Sequence, residues 1–133
     1  MIVVDTNVVA YLWISGALTE FAEKALKKDS AWAAPFLWRS EFRNVLAGYF
    51  RRKQMSLEAV VKSLEGAELI FKGQEYFVPS DRVMKFVAQS TCSAYDCEFV
   101  ALADDLDLPL VTTDEKILRE FPKITVHLKK FVS

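Results

Sequence analysis

A chain of 133 residues is long enough for one compact domain with a real core and too short for two of ordinary size, so residues 1-133 read as a single domain. With 52% hydrophobic and 26% charged residues, four glycines and four prolines, the composition excludes disordered and fibrous chains. The formal net charge of -1 excludes a global electropositive field of the kind that dominates non-specific nucleic-acid binding, so any RNA contact must come from local patches.

The chain opens on Ile2-Val3-Val4, a β-branched run typical of a strand buried on both faces, and the run ends abruptly in an acid, Asp5. Asp5 thus sits at a strand's carboxyl end. Thr6 or Asn7 then caps a short helix through Trp13, and Thr19 starts another whose Phe21, Ala22, Ala25 and Leu26 have helical spacing. Residues 6-19 carry no charge, but they fall short of a membrane span and no basic segment precedes them, so a cytoplasmic protein without membrane attachment is expected. Residues 31-35 read as a second strand. From Phe36 to Lys53, Trp38, Phe42, Val45, Leu46 and Tyr49 recur at spacings of three and four, which predicts an amphipathic helix ending in Arg51, Arg52 and Lys53. Ser56 caps a helix over residues 57-64, residues 76-78 are extended, and Ser80 caps a helix through about Ala88.

A further helix is expected from Tyr95 to about Leu106. Pro109 then opens the strand Leu110-Val111-Thr112, and Asp114 follows that strand as Asp5 follows the first. A helix over residues 115-120 and a strand over residues 124-128 complete an alternation that implies an α/β fold with a mainly parallel sheet covered on both faces.

In such sheets ligands bind beyond the carboxyl ends of the strands, so Asp5 and Asp114 are predicted to face one crevice. Glu41 lies three residues after Trp38 and four before Val45, which places a carboxylate on the face of its helix that should be core. Asp96 breaks the same rule, standing three before Phe99, four before Val100 and seven before Ala103. An unpaired acid at such a position meets a desolvation penalty of several kcal/mol, roughly, or takes up a proton, unless a cation or an opening relieves it. With one histidine and no suitable cysteine pair, the donors available are oxygens, which favours magnesium (Mg2+) first and manganese (Mn2+) second over zinc. The competing account is that these are ordinary acids: Glu41 can pair with Arg39 or Arg43, and Asp96 or Asp114 can occupy a helix's first turn, where the macrodipole favours an anion.

Other candidates carry less. Asp104, Asp105 and Asp107 read as a solvated helix end before Pro109, and His127 as a structural residue. Cys92 and Cys97 fit neither a zinc knuckle nor a Cys-x-x-Cys pair and are expected as reduced thiols. Arg51, Arg52, Lys53, Lys129 and Lys130 suit phosphate contact and helix ends equally. Trp13, Phe50 and Phe131 are read as core rather than as an interface.

The segments Val4-Asp5-Thr6-Asn7, Glu41 opening a helix, Tyr95-Asp96-Cys97-Glu98-Phe99-Val100-Ala101-Leu102-Ala103 and Val111-Thr112-Thr113-Asp114 together resemble a PIN-domain nuclease. Within that family the resemblance is nearest to VapC-type toxins of toxin-antitoxin pairs and runs from Asp5 to Phe121-Pro122. It implies a three-layer α/β/α sandwich, Mg2+- or Mn2+-dependent cleavage of RNA, and a homodimer neutralised by an antitoxin protein. Carried over by position, Asp5, Asp96 and Asp114 resemble the metal ligands, with Glu41 a further ligand or the group that orients water. Thr6, Asn7 and Thr113 match supporting polar positions. Cys97 stands where the family often has alanine, a small departure.

Two other functions compete. Phosphotransferases related to haloacid dehalogenases also place an aspartate after the first strand, as a nucleophile, but usually need a second aspartate two residues on, where this chain has Asn7. A noncatalytic module whose acidic pocket captures a cation or a partner's arginine is the alternative of a different class.

Overall fold

The computed structural model describes residues 1-133. Five strands alternate with helices: β1 (Ile2–Val4), α1 (Thr6–Trp13), α2 (Thr19–Lys28), β2 (Trp32–Pro35), α3 (Leu37–Arg51), α4 (Leu57–Ile70) and β3 (Glu75–Tyr76) in the first half. The second half adds α5 (Ser80–Ala88), α6 (Ala94–Leu106), β4 (Leu110–Thr112), α7 (Glu115–Glu120), β5 (Thr125–His127) and α8 (Leu128–Phe131). The strands form one parallel sheet in the order β3-β2-β1-β4-β5, so the fold is an α/β sandwich with helices over its sheet. No helix is long and apolar enough to cross a membrane.

The register explains why short strands suffice. Val3 and Val4 of β1 pair with Leu110 and Val111 of β4, and on the other side Ile2 and Val3 pair with Trp32 and Ala33 of β2. All of these residues are buried, as expected for strands covered on both faces. Trp38, Phe42 and Leu46 of α3 and Phe99, Val100 and Ala103 of α6 fill the adjoining layers. Because such crossovers are right-handed, the chain must change faces when it reverses direction across the sheet, and that reversal falls between β1 and β4. A crevice opens at such a switch point, beyond the carboxyl ends of these two strands.

Several local expectations shift. The cap of α1 is Asp5 itself, whose Oδ1 accepts from the Thr6 N–H at 2.8 Å, rather than Thr6 or Asn7. Ser80 is the first residue of α5, and Pro79 holds the cap position. The helix capped by Ser56 runs on to Ile70 instead of stopping at Leu64. Its Gly66 passes so close to Trp13 of α1 that a side chain there would overlap the indole, and this close approach is what glycine permits. The last strand stops at His127, whose Nδ1 accepts from the Lys129 N–H and caps α8, a short helix the sequence did not signal. Phe50 is exposed rather than core, while Trp13 and Phe131 pack at the core's edge. Cys92 and Cys97 are buried free thiols.

On propensity alone, Gly66→Ala should stabilise a helix by up to about 1 kcal/mol. The Trp13 contact reverses that sign, and urea unfolding is expected to show a loss of about 1–3 kcal/mol. A gain in stability would mean that α1 and α4 do not meet as described.

Candidate active site

Asp5 leaves the end of β1 fully inside the structure. Its backbone N–H donates to Val111 O of β4 at 3.0 Å, which fixes where the side chain emerges. Both carboxylate oxygens are then engaged: Oδ1 by the Thr6 N–H and Oδ2 by the Thr112 hydroxyl, at 2.6 Å. That hydroxyl has one proton to give. Its oxygen accepts from the Asp114 backbone N–H at 3.0 Å and, more distantly, from Asn7 Nδ2 at 3.5 Å, so Thr112 must donate to Asp5. One side chain thereby ties the ends of β1 and β4 together. Asp114 caps α7, its Oδ1 accepting from the Ile117 N–H at 3.0 Å, which leaves Oδ2 for the crevice.

The other two acids come from helices that cross this end of the sheet. Glu41, in the second turn of α3, accepts a 2.7 Å hydrogen bond from the Thr6 hydroxyl at Oε1. Asp96 lies in the first turn of α6, which is capped by Ser93 through the Asp96 N–H at 3.1 Å. Ser93 and Asp96 are three apart in the arrangement of a capping box, and Cys92 and Cys97 flank them where a hydrophobic staple packs. The helix start that carries Asp96 is thus fixed by its Ser93 cap.

Electrostatics link the four. Burial pushes the Asp5 carboxyl up from 3.8 to about 7; the charges of Glu41 and Asp96 add to that, and the bonds from Thr112 and Thr6 oppose it. Glu41 is raised first by burial and then by Asp96 and Glu98, against the bond from Thr6. Asp96 is raised by burial and by Asp114, with Ser93 and the charge of Lys116 pulling it back. None of the four forms an ion pair, and Arg39, the suggested partner of Glu41, instead grips Glu68 and Glu75. Helix capping does account for one oxygen each of Asp5 and Asp114. It does not account for four acids acting on one another without a base between them.

The donor set fits a hard divalent cation, being all oxygen and mutually repulsive. Asn7 adds to this, because its Oδ1 is buried without a hydrogen-bond partner, an acceptor left open beside Asp5 and Thr112. No three of the acids converge closely enough to enclose an ion as a cage. An open rim suits magnesium, which keeps much of its water and takes only one or two carboxylates directly.

Of the supporting residues expected from sequence, Thr6 touches Glu41 and Asn7 reaches only Thr112. Thr113 touches no site acid; its hydroxyl pairs with Tyr11 at 2.7 Å. The role expected of Thr113 falls to its neighbour Thr112, a wholly buried polar residue in a strand otherwise made of Leu110 and Val111, which was the available signal. Lys116, the one base whose charge reaches Asp96, carried no such signal. Arg51, Arg52 and Lys53 stand at the far end of α3 from Glu41, and Lys129 lies over the Phe21 ring. Asp104 and Asp105 are paired with Arg82 at a helix end.

The PIN domain family model matches residues 2-124 of this chain. The crystal structure of PAE2754 from Pyrobaculum aerophilum shares the fold, with a TM-score of 0.79 and 21% identity over 98% of this chain and 90% of that one. No curated protein matches the chain in sequence.

The raised Asp5 carboxyl predicts an unusual pH dependence. Below about pH 4 both states hold the proton; between about 4 and 7 the unfolded chain loses it while the folded chain keeps it, so stability falls as pH rises, by roughly 4 kcal/mol at most. Glu41 and Asp96 act in the same direction, and Glu75, held low by Arg39, acts in the opposite one. In chelator-treated protein, the loss of unfolding free energy between pH 4.5 and 7.5 is expected to shrink in Asp5→Asn. The slope is the readout, since the amide also mispairs with Thr112. Equal slopes in parent and variant would contradict the assignment.

Proposed function

This chain belongs to the PIN domain family, whose members are generally nucleases that use divalent metal ions, and on that premise we propose that it is a metal-dependent endoribonuclease. The reading rests on one observation: Thr112 joins Asp5 to the Asp114 backbone and Thr6 brings Glu41 to the same end of the sheet, while neither these acids nor Asp96 forms an ion pair. The family's generality and this donor set support Mg2+ or Mn2+ as the cofactor. The motif resemblance further supports a toxin of the VapC type, acting in the cytoplasm as a homodimer and neutralised by an antitoxin.

Asp5, Asp96 and Asp114 would hold the cation, with Glu41 as a further ligand or the group that orients water. When bound, the ion acidifies its water and neutralises charge on the leaving oxygen of the scissile phosphate. The protein's own part is positioning. Thr112 fixes one oxygen of Asp5, and Thr6 directs Glu41 through a single hydrogen bond, so both carboxylates are oriented before substrate arrives. Glu41, raised by burial, is suited to take a proton from an attacking water. Lys116, whose charge acts on Asp96, is the base of this chain suited to a phosphate oxygen. An aspartyl-phosphate mechanism with Asp5 as nucleophile is disfavoured because the usual second aspartate two residues on is Asn7 here.

Cleavage of a mixed cellular RNA pool tests the reading. Parent protein is expected to cut with magnesium or manganese and not with chelator, and Asp96→Asn to lose activity by at least about 100-fold. Thr6→Val, which frees Glu41, is expected to cost roughly tenfold in kcat with less effect on KM. RNA cut equally by parent and Asp96→Asn would reject the assignment, and intact RNA in every arm would favour a noncatalytic cation-binding module.

A further inference from the structure

A cleft of about 230 Å³ opens between α5 and α6, walled by Val78, Ser80, Val83, Met84, Ala94 and Tyr95. One charged group, Glu98, shares that wall. Glu98 is half-buried and takes part in no hydrogen bond or ion pair. A partly buried carboxylate without a hydrogen bond has acceptors to offer. Ala94 and Tyr95 of this wall open α6 directly before Asp96, so the cleft adjoins the carboxylate crevice at the start of that helix. Tyr95, immediately before Asp96, is 64% exposed, and Met84 opposite it is 54% exposed. Beyond Val78 the apolar surface continues as Phe36 and Phe77, whose rings stack with centroids 4.6 Å apart. Phe77 is 86% exposed, and Phe36 directly precedes the helix that carries Glu41.

We propose that this cleft seats an unpaired base of the RNA, with Tyr95 and Met84 against its faces and Glu98 accepting from its Watson-Crick edge. The proposal rests on the nuclease reading and supplies its specificity. Aromatic and thioether side chains beside a phosphodiester-cleaving crevice suit flat bases, which stack on them at roughly 1–3 kcal/mol each. A carboxylate selects among bases by counting donors. Guanine alone offers two adjacent N–H groups, at N1 and the 2-amino group, to the two oxygens of Glu98; adenine, cytosine and uracil offer one donor position beside an acceptor. Guanine is therefore the preferred occupant. A purely apolar protein partner would bury Glu98 with its acceptors unmet, which disfavours that use of the same surface. Phe36 and Phe77 then provide a platform for the next base along the strand.

The test uses short oligouridine RNAs carrying one guanosine, inosine, adenosine or no purine, cleaved by the full chain with magnesium, with binding followed separately by fluorescence anisotropy. The guanosine RNA is expected to show a KM about tenfold below that of the uridine RNA, with inosine, which lacks only the 2-amino group, in between. Glu98→Gln is expected to abolish the guanosine advantage, and Tyr95→Ala to weaken all four RNAs several-fold at unchanged sedimentation. Metal-dependent cleavage with equal KM for all four RNAs would overturn the subsite and leave the nuclease reading standing. Guanosine-dependent binding that Glu98→Gln removes, without cleavage of any RNA, would uphold the subsite and overturn the nuclease reading. Tyr95→Ala or Glu98→Gln altering the oligomeric state with no change in RNA affinity would make the cleft a protein interface and overturn the proposal.

Discussion

The hydroxyl of Thr112 is the constraint on which the site depends. It accepts from the Asp114 N–H and therefore must give its only proton to Asp5, so a single oxygen joins the ends of the two strands that flank the switch point. From that junction two helices leave: α1, capped by Asp5, and α7, capped by Asp114. Capping and site geometry are the same set of bonds here. The acids that start these helices are held in one orientation by the helices they start, and the parallel register of β1 and β4 sets the distance between them.

The remaining acids show what the fold does with charge. Where the chain neutralises an acid, it does so fully: Glu75 receives the guanidinium of Arg39 at 2.6 and 2.7 Å and the Trp38 indole N–H at 2.8 Å, and its carboxyl drops below the ordinary range. At the switch point the opposite choice is made. Asp5 is driven up to about 7, Glu41 and Asp96 are raised with it, and the only base within reach of Asp96 is Lys116. A fold that can place Arg39 so accurately on Glu75 leaves these four acids unpaired, which is the pattern expected where stability is traded for a cation-binding function.

Much of this was legible in the sequence because the violations were local. An acid ending a β-branched run, and acids at the core-facing positions of two helices, need only periodicity to be seen. The helix over residues 115-120 and the strand over residues 110-112 were legible for the same reason, being short segments with clear boundary residues. What was hidden depends on contacts between distant residues. Thr112 differs locally from Thr113 only in ending the strand; the pairing of β4 with β1 turns it inward to Asp5 and leaves Thr113 for Tyr11. The approach of Gly66 in α4 to Trp13, more than fifty positions away, is of this kind. The cleft that holds Glu98 likewise exists only because α5 packs across α6.

The most direct test of the central claim is manganese binding, followed by electron paramagnetic resonance, for the parent and for Asp5→Asn, Glu41→Gln, Asp96→Asn and Asp114→Asn. A shared cation site predicts that the parent binds manganese at the crevice and that each substitution of an aspartate weakens binding by roughly tenfold or more, with Glu41→Gln weaker or equal in effect. Manganese bound equally well by the parent and by all four variants would contradict the account, since these acids would then be four capped or solvated carboxylates and not one site.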